Sequence, residues 1–220
     1  MSKKLKLFLG ISYLLILLAF LYFIFLKIEV SRLNDFSYYK ELQAGIDVFI
    51  GENLYLNLLI FFTFSVLWVL LLGFGLPILI TAGILFGKWV GTLVSIFSLA
   101  LGALLLYTIA NFFFVDLVNR LLKEKFSNYI KIFKKNEFFY FFIFRLTGGL
   151  GIPFALQNVL PIIFNIKKAN YFFASLLGFI PSMFIFVSVG SGLNKFIKES
   201  NNFSFINLII NKEIYLPILI

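Results

Sequence analysis

The sequence predicts an all-α polytopic membrane protein, and three observations support that prediction. Of its 220 residues 61% are hydrophobic, well above the roughly 45–50% that is usual for a soluble domain. Long apolar runs with few charges follow one another along the chain. Most lysines and arginines stand at the ends of those runs, where such residues set topology, so we expect no nucleic-acid partner despite a net charge of +9.

The expected organisation has three parts. Residues 1–52 are predicted to form an N-terminal transmembrane helix and an external amphipathic segment, residues 53–192 a core with two re-entrant hairpins, and residues 193–220 an external loop with an incomplete last helix. The first span, residues 7–26, follows three lysines, which place the N-terminus in the cytoplasm. Its apolar core is longer than that of a signal peptide and no small-residue cleavage site follows it, so we expect it to stay uncleaved.

Charge assigns opposite sides to two amphipathic segments. Residues 27–52 are acidic on balance, which favours an external, interfacial location. Residues 116–137 carry an excess of lysine and arginine, and their apolar positions recur at helical spacing. We expect residues 116–137 to form one amphipathic helix on the cytoplasmic surface of a multi-pass protein of the inner (plasma) membrane.

Three apolar pieces lie between these segments, at residues 54–72, 77–90 and 92–115. The last piece is about 36 Å long as a helix, which is enough to span the bilayer. The middle piece reaches only about 21 Å, short of the hydrocarbon core. The first two pieces therefore either both cross or form a re-entrant hairpin that starts and finishes outside.

The second half of the chain repeats this arrangement. Residues 138–150 and 153–166 are each about 20 Å long as helix, which is too short to cross. Lys167 and Lys168 follow at once and favour a hairpin that enters from the cytoplasm and returns to it. Residues 169–192 then span outward.

One pattern, G-x-G-x-P, breaks both hairpins. It reads GFGLP at residues 73–77 and GLGIP at residues 149–153, and the same shift of 76 takes Gly102 to Gly178. Because irregular backbone is tolerated in a bilayer only where it is buried in protein or lines a cavity, we expect an inverted repeat whose hairpins meet near the midplane. The alternative is that each G-x-G-x-P pattern only kinks its helix. The breaks are expected at Gly73, Gly75, Pro77, Gly149, Gly151 and Pro153.

Two blocks of sequence, residues 75–111 and 144–193, carry a family resemblance. The second block contains, in order, an Arg, a Pro-containing turn, an Asn, a G-x-x-P and a closing G-S. The residues are Arg145, Pro153, Asn158, Gly178, Pro181, Gly190 and Ser191. Over residues 50–192 this order and spacing resembles the DedA/VTT-domain superfamily, the SNARE-associated Golgi protein group.

The resemblance implies two facing re-entrant hairpins. For some members it also implies lipid scrambling or carrier-lipid translocation, and for others proton-dependent transport. Two departures favour the broader VTT branch of bacterial membrane proteins. Asn111 stands where a basic residue is usual, and residues 54–115 contain no Asp or Glu, so the hairpin carboxylate of the DedA branch is missing. The second departure argues against carboxylate-based proton coupling.

Arg145 is the most informative candidate for a substrate-binding residue. Arginine at the bilayer centre costs about 2.5–3.5 kcal/mol on insertion scales, so it usually faces a cavity or a partner. Its guanidinium suits a lipid phosphate, although snorkelling to the surface is the alternative. Thr147, Gln157 and Asn158 are expected either to extend this polar patch or to cap broken helix ends.

Small residues mark the expected sites of helix packing. Gly83, Gly87 and Gly91 recur every four residues, a spacing that favours close approach of two helices. The expected packing set also includes Gly102, Gly178 and Pro181. Lys88 is expected to reach the outer interface, with Trp89 as an aromatic anchor.

Three functions are left open by the sequence. They are a scramblase- or flippase-like translocator of lipids or lipid-linked molecules, an ion- or proton-coupled carrier of a small solute, and a membrane organiser that transports nothing. Cysteine and histidine are absent, and the apolar segments offer no acid/base pair or nucleophile with a base. We therefore expect no enzymatic activity, no metal and no cofactor, with membrane lipids as the partners.

The end of the chain is predicted to be unusual. A polar stretch after Gly192 should lie outside, and the closing IYLPILI would reach only about 10 Å as a helix. No lysine or arginine follows to hold a cytoplasmic end. We expect either that a final helix is missing or that this tail lies at the outer interface.

Overall fold

The computed structural model describes residues 36–71, 73–122, 124–199 and 210–219 and a few positions nearer the N-terminus (11–13, 15, 18–19 and 22). All regular secondary structure in these ranges is helical. The chain divides into two units, residues 1–41 and 42–220. The predicted first span, residues 7–26, falls largely outside the described residues, and the positions described within it are helical.

The helices are numbered in chain order. They are α1 (Phe36–Glu52), α2 (Leu54–Leu70), α3 (Gly75–Leu122), α4 (Ser127–Lys135), α5 (Glu137–Leu146), α6 (Phe154–Val159), α7 (Lys168–Gly178), α8 (Ile180–Glu199) and α9 (Lys212–Leu219). Two 3-10 turns, Gly148–Gly151 and Leu160–Phe164, flank α6.

The first hairpin begins at α2, and Leu71, Gly73 and Phe74 lie in the turn that follows it. Asn53 caps α2, because its side chain accepts a hydrogen bond from the Leu56 amide at 3.0 Å. The indole of Trp68 then closes the turn by donating to the Phe74 carbonyl at 2.8 Å. A Cβ at Gly73 would overlap the Trp68 ring, so this glycine is required for space.

Helix α3 is 48 residues long and is broken once, at Gly87, where φ is 71° and ψ is 177°. This positive φ favours glycine and separates residues 75–86, the second limb of the hairpin, from the long helix of residues 88–122. The structure corrects the expectation that Gly87 packs against another helix. A Cβ there would meet nothing within 4 Å, so Gly87 serves the break in the backbone.

The predicted amphipathic helix of residues 116–137 is also corrected. Helix α3 continues to Leu122, the chain turns over residues 124–126, and only α4, Ser127–Lys135, follows as a separate short helix. The turn is fixed by hydrogen bonds from the Phe126 amide to the Leu122 carbonyl at 3.0 Å and from the Ser127 amide to the Glu124 carbonyl at 3.2 Å. The apolar residues at helical spacing are thus divided between the end of the long helix α3 and the short helix α4.

The second hairpin is broken by a left-handed turn between α5 and α6. The φ angles of its four residues are 66° at Gly148, 71° at Gly149, 56° at Leu150 and 79° at Gly151. Because L side chains rarely adopt this conformation, glycine occupies three of the four positions. The two G-x-G-x-P patterns therefore break their helices for different reasons. The second needs left-handed dihedrals, whereas Gly73 needs room beside an indole ring.

Helices α7 and α8 run almost continuously through Phe179. The Phe179 amide donates to the Ser175 carbonyl at 3.0 Å, and its own carbonyl accepts from the Met183 amide at 2.9 Å. Pro181, which was expected to pack between helices, is exposed in the first turn of α8. Proline is tolerated there because the first amides of a helix lack intrahelical partners.

Glycine contacts hold α3 against α8. A Cβ at Gly83 would overlap the Val187 carbonyl oxygen, and a Cβ at Gly190 would overlap the Ile80 carbonyl oxygen. Such small residues let two helix backbones approach closely. At the end of the chain, Gly192 lies 2.6 Å, measured from a Cβ built on it, from the Glu213 carbonyl oxygen, so α9 packs on α8.

The shift of 76 residues also appears in the packing. A Cβ built on Gly102 of α3 would lie 2.9 Å from Cβ of Val69 on α2. A Cβ built on Gly178 of α7 would lie 2.5 Å from Cβ of Arg145 on α5. Adding 76 to the first pair gives the second pair, so the two helix contacts share one register.

Candidate functional site: a buried arginine network

Arg145 lies one residue before the end of α5 and is only 1% exposed. Its guanidinium uses four of its five N–H groups. Nε donates to Ser175 Oγ at 3.2 Å, and Nη1 donates to Gln157 Oε1 at 3.3 Å. Nη2 donates to Asn158 Oδ1 and to Tyr171 Oη, both at 2.8 Å. These five residues, drawn from α5, α6 and α7, are called the Arg145 network below.

Aromatic rings enclose the guanidinium. Its central carbon lies 4.8 Å from the ring centroids of Phe141 and Phe179 and 5.4 Å from that of Tyr171. Tyr107 of α3 stacks on Tyr171 with centroids 4.5 Å apart, and its hydroxyl donates to a backbone carbonyl of the second hairpin at 2.9 Å. Cation–π contacts of this kind stabilise a desolvated cation, and they also exclude water from it.

The charge of Arg145 has no carboxylate partner among the described residues. Every acceptor in the network is a neutral oxygen, and the ion pairs of the described part involve other residues. A buried charge without an opposite charge is costly, and such residues mark functional sites inside membranes. The network is therefore built to hold a guanidinium in apolar surroundings without neutralising it.

Asn158 supplies a second unusual group. Its side chain is fully buried, and because a guanidinium can only donate, the amide oxygen must face Arg145. The other end of the amide, Nδ2, is a buried donor without a partner. Leaving such a donor unsatisfied costs about 1–3 kcal/mol. An acceptor bound beside Arg145 would remove that cost.

Gln157 connects the Arg145 network to the left-handed turn. Its Nε2 donates to the carbonyls of Gly148 at 3.0 Å and Ile152 at 2.6 Å, while its Oε1 accepts from Arg145. A Cβ at Gly149 would overlap this side chain. The turn and the guanidinium are thus fixed by the same amide.

Three of the four residues predicted for the site come together, namely Arg145, Gln157 and Asn158. Thr147 lies apart from them. It is exposed, and its hydroxyl donates to the carbonyls of its own helix at Ile143, 3.0 Å away, and Phe144, 3.1 Å away.

Sequence reasoning missed Tyr171 and Ser175. The two stand four residues apart, so they share one face of α7, and both are buried inside an apolar segment. Polar residues at that spacing in a membrane segment were the available signal.

Comparison with known proteins identifies the family. Residues 72–192, more than half of the chain, match the family model described as the VTT domain, the domain of the DedA and SNARE-associated Golgi proteins. This chain belongs to the VTT-domain family. No solved structure matches it. Two helices of the described part, Gly75–Leu122 and Ile180–Glu199, are long and apolar enough to cross a membrane, and with the VTT domain they make this an all-α membrane protein.

A second polar cluster of the VTT domain joins the two ends of the second hairpin. Glu137, at the start of α5, is 7% exposed. Its Oε1 accepts from Lys134, and its Oε2 accepts from the Lys167 amide at 3.0 Å and from Asn170 Nδ2 at 3.1 Å. Lys134 also donates to the Asn165 carbonyl at 2.7 Å. These contacts hold the start of α5 against the start of α7.

The electrostatics of this cluster favour the ionised carboxylate. Burial alone would raise the pKa of Glu137, but hydrogen bonds from Lys134, the Lys167 amide and Asn170 together outweigh it and hold that pKa below its usual range. The folded-state pKa is therefore lower than the unfolded one, which is about 4.3. The resulting stability is fully present above the unfolded pKa and is lost as the pH falls through the folded one.

Glu137→Gln is expected to lower the free energy of unfolding by about 1–3 kcal/mol at neutral pH, since an amide cannot accept all three hydrogen bonds as well as a carboxylate does. Thermal unfolding of the detergent-solubilised protein, followed from pH 7 downward, measures the effect. The gap between wild type and variant should close below about pH 4. Glu124→Gln, at an exposed turn position, is the matched control. A gap that persists at low pH would contradict the assignment.

Proposed function

We propose that this VTT-domain protein translocates a lipid or lipid-linked anion, and that Arg145 and Asn158 contact the phosphate of that substrate. One observation carries the proposal. A fully buried guanidinium is held only by neutral oxygens, and a buried amide donor without a partner belongs to the same network. Phosphate oxygens accept from both kinds of donor, and guanidinium pairs with phosphate through two parallel hydrogen bonds.

The network has a chemistry that suits transient binding. The oxygens of Ser175, Gln157, Asn158 and Tyr171 accept hydrogen bonds from Arg145, and a substrate phosphate would exchange with some of them. The contacts to Ser175 and Gln157 are the longest, at 3.2 and 3.3 Å. A phosphate entering from their side would replace two neutral acceptors with charged oxygens. The negative charge of the phosphate would also be the opposite charge that Arg145 lacks. The attraction between the two charges is strong where water is excluded.

We further propose that the two hairpins are re-entrant and form an inverted repeat. The matching contacts of Gly102 with Val69 and of Gly178 with Arg145 support it. So does the end of each second limb, where Gly87 and Asn165 adopt positive φ angles of 71° and 44° shortly before the next helix. In such folds the broken segments meet near the midplane and form the substrate site. That arrangement would place Arg145 where a translocated headgroup passes.

The test is lipid flux. Purified protein would be reconstituted into vesicles containing a trace of phosphatidylglycerol with a fluorescent headgroup label, and an impermeant quencher would be added outside. Only outer-leaflet label is quenched in protein-free vesicles, whereas a translocator exposes the inner leaflet as well. Quenching that stops at the outer leaflet in both samples would refute the proposal. A phosphatidylcholine probe in parallel vesicles tests whether negative charge is selected.

The membrane orientation is a separate prediction. The lysines of α4 favour a cytoplasmic location, with the N-terminus on the same side, whereas α1 is expected outside. Because the chain has no cysteine, single substitutions at exposed positions report sidedness directly. In intact cells an impermeant thiol reagent should label Gly45→Cys, while Asn128→Cys should react only after permeabilisation. Labelling of Asn128→Cys in intact cells would reverse the orientation.

A further inference from the structure

The Arg145 network holds one positive charge and no negative one. Ser175, Gln157, Asn158 and Tyr171 contribute neutral oxygens, and the aromatic rings around the guanidinium are uncharged. Because the guanidinium is almost fully buried, water cannot compensate a charge that the network leaves unmatched. The number of charges that a ligand brings is therefore decisive.

Charged side chains on the surrounding helices stand away from the network. In the described part of the chain, Arg145 and Tyr171 interact electrostatically with each other and with no lysine or carboxylate. Glu137, at the start of α5, is about 12 Å from Arg145 along the helix axis, and Lys134 matches its charge. Lys168, in the first turn of α7, is exposed. A second negative charge at the network would therefore have no cation of its own.

This imbalance favours a singly charged ligand. The free energy needed to take an ion out of water grows with the square of its charge, whereas its attraction to one cation grows only in proportion to that charge. A monoanion beside Arg145 would form a neutral pair. A dianion would leave one negative charge next to the rings of Phe141 and Phe179, which exclude water.

The hydrogen-bond donors of the network lead to the same conclusion. Four of the five N–H groups of Arg145 already bind oxygens of the protein, and Asn158 Nδ2 is a buried donor without a partner. A phosphodiester has two terminal oxygens, which a guanidinium fork and one amide can satisfy together. A phosphomonoester dianion has three terminal oxygens and one more charge, so it needs more donors than Arg145 and Asn158 supply.

We propose that the Arg145 network selects a lipid phosphate with a single negative charge, in practice a phosphodiester, and discriminates against a phosphomonoester dianion. The inference rests on the proposed function and narrows its substrate class. A phosphomonoester loses its second proton with a pKa of about 6. The discrimination therefore depends on pH, and the group that titrates belongs to the ligand.

The groups around the network keep their charge between about pH 5 and about pH 9, the range of the test. A guanidinium remains protonated in proteins, and lysine ammonium groups titrate above this range. Tyr107, which reaches the network from α3, and Tyr171 are phenols and are uncharged there. Hydrogen bonds hold the pKa of Glu137 below its usual range, so it stays ionised. Helix α6 and the first turn of α8 carry no titratable side chain.

Two lipids that differ by one methyl group test the proposal. Phosphatidic acid is a phosphomonoester, and phosphatidylmethanol is its methyl ester, a diester with one negative charge across the test range. Both would carry the same fluorescent label on one acyl chain, which leaves the headgroup unmodified. Flux would be measured in vesicles containing the full chain, with protein-free vesicles at each pH as the baseline. We expect phosphatidylmethanol to move about tenfold faster at about pH 9, and the two rates to agree within about twofold at about pH 5.

Each alternative outcome has a distinct meaning. Equal flux of the two lipids at about pH 9, or faster flux of phosphatidic acid there, would overturn the charge selection and leave translocation standing. A preference of the same size at both pH values would overturn it as well, because the methyl group rather than the charge would then be recognised. Absence of flux for both lipids refutes translocation, and the inference falls with it.

Asn158→Asp tests the charge of the network directly. It adds a carboxylate beside Arg145 with almost no change of shape, so flux of phosphatidylmethanol should fall to the protein-free level. Asn158→Leu removes the same donor without adding charge and should keep part of the flux, with the preference for phosphatidylmethanol.

Asn128→Asp makes the matching change at an exposed position of α4 and should leave flux unchanged. Size-exclusion chromatography of all three variants verifies folding. Equal flux in Asn158→Asp and Asn158→Leu would show that the charge of the network does not govern the substrate, which would overturn the proposal.

Discussion

Arg145→Ala is expected to reduce lipid flux in reconstituted vesicles to the level of protein-free vesicles. The substitution removes the cation that would attract the phosphate and leaves the oxygens of Ser175, Gln157 and Asn158 without their donor. It also removes a buried charge that has no opposite partner among the described residues, and relief of that burial offsets part of the lost hydrogen bonding. We therefore expect the variant to insert and fold.

Arg145→Lys is expected to restore only a small part of the flux. An ammonium keeps the charge but presents three donors from one point, whereas the guanidinium addresses Ser175 on one side and Asn158 on another through a rigid fork. Two parallel hydrogen bonds to a phosphate are likewise lost. Full activity in the Lys variant would show that charge alone is needed.

Thr147→Ala is the matched control for both variants. It lies two residues from Arg145 and is polar, but its hydroxyl bonds only to carbonyls of its own helix. Its flux should equal that of wild type. Flux at the wild-type level in Arg145→Ala would reject Arg145 as a substrate contact. Loss of folded Arg145→Ala protein, judged by size-exclusion chromatography, would assign the residue to structure instead.

The sequence could predict Arg145, Gln157 and Asn158 because the physical signal is local. A cation inside an apolar limb is expensive wherever it lies, and Gln157 and Asn158 stand only twelve and thirteen positions further along, on the returning limb. Tyr171 and Ser175 lie on the next helix, and only the packing of Gly178 against Arg145 brings α7 to α5. Residue spacing within one helix does not predict this contact between α5 and α7.

The hairpin breaks show a second limit of sequence reasoning. The identical G-x-G-x-P patterns predicted two similar turns, and each pattern does interrupt a helix. The reasons differ, however, because Gly149 takes a left-handed φ under Gln157 while Gly73 makes room for Trp68. A glycine in the sequence indicates that a side chain is not tolerated at that position. It does not show whether the reason is a positive φ angle or a lack of space.

Helix ends were the least predictable feature of the fold. The apolar spacing of residues 116–137 fits one amphipathic helix, yet α3 runs on to Leu122 and only nine residues form α4. Residues 124–126 include no proline or glycine, so their composition does not predict the turn. The four-residue spacing of Gly83, Gly87 and Gly91 predicted helix packing at all three glycines. In the structure the backbone at Gly87 instead ends the second limb of the first hairpin.

Gly190→Ala is expected to destabilise the protein strongly, as is Gly83→Ala, because both add a Cβ where α3 and α8 approach closely. The new Cβ of Gly190→Ala would overlap the Ile80 carbonyl oxygen, and backbone cannot move aside as the end of a flexible side chain can. Helices α3 and α8 would have to separate, which loosens the reciprocal contact of Gly83 with Val187 as well. We expect the free energy of unfolding to fall by about 3 kcal/mol or more.

Gly45→Ala is the matched control for this variant, because it makes the same chemical change on α1 where a Cβ meets nothing within 4 Å. Alanine is the better helix former, so Gly45→Ala should be neutral or slightly stabilising. Thermal unfolding followed by size-exclusion chromatography of the detergent-solubilised protein compares the two. Gly83→Ala and Gly190→Ala together should cost less than the sum of the single effects, since either one already separates the same two helices. A melting temperature for Gly190→Ala equal to that of Gly45→Ala would mean that α3 and α8 do not depend on this close approach.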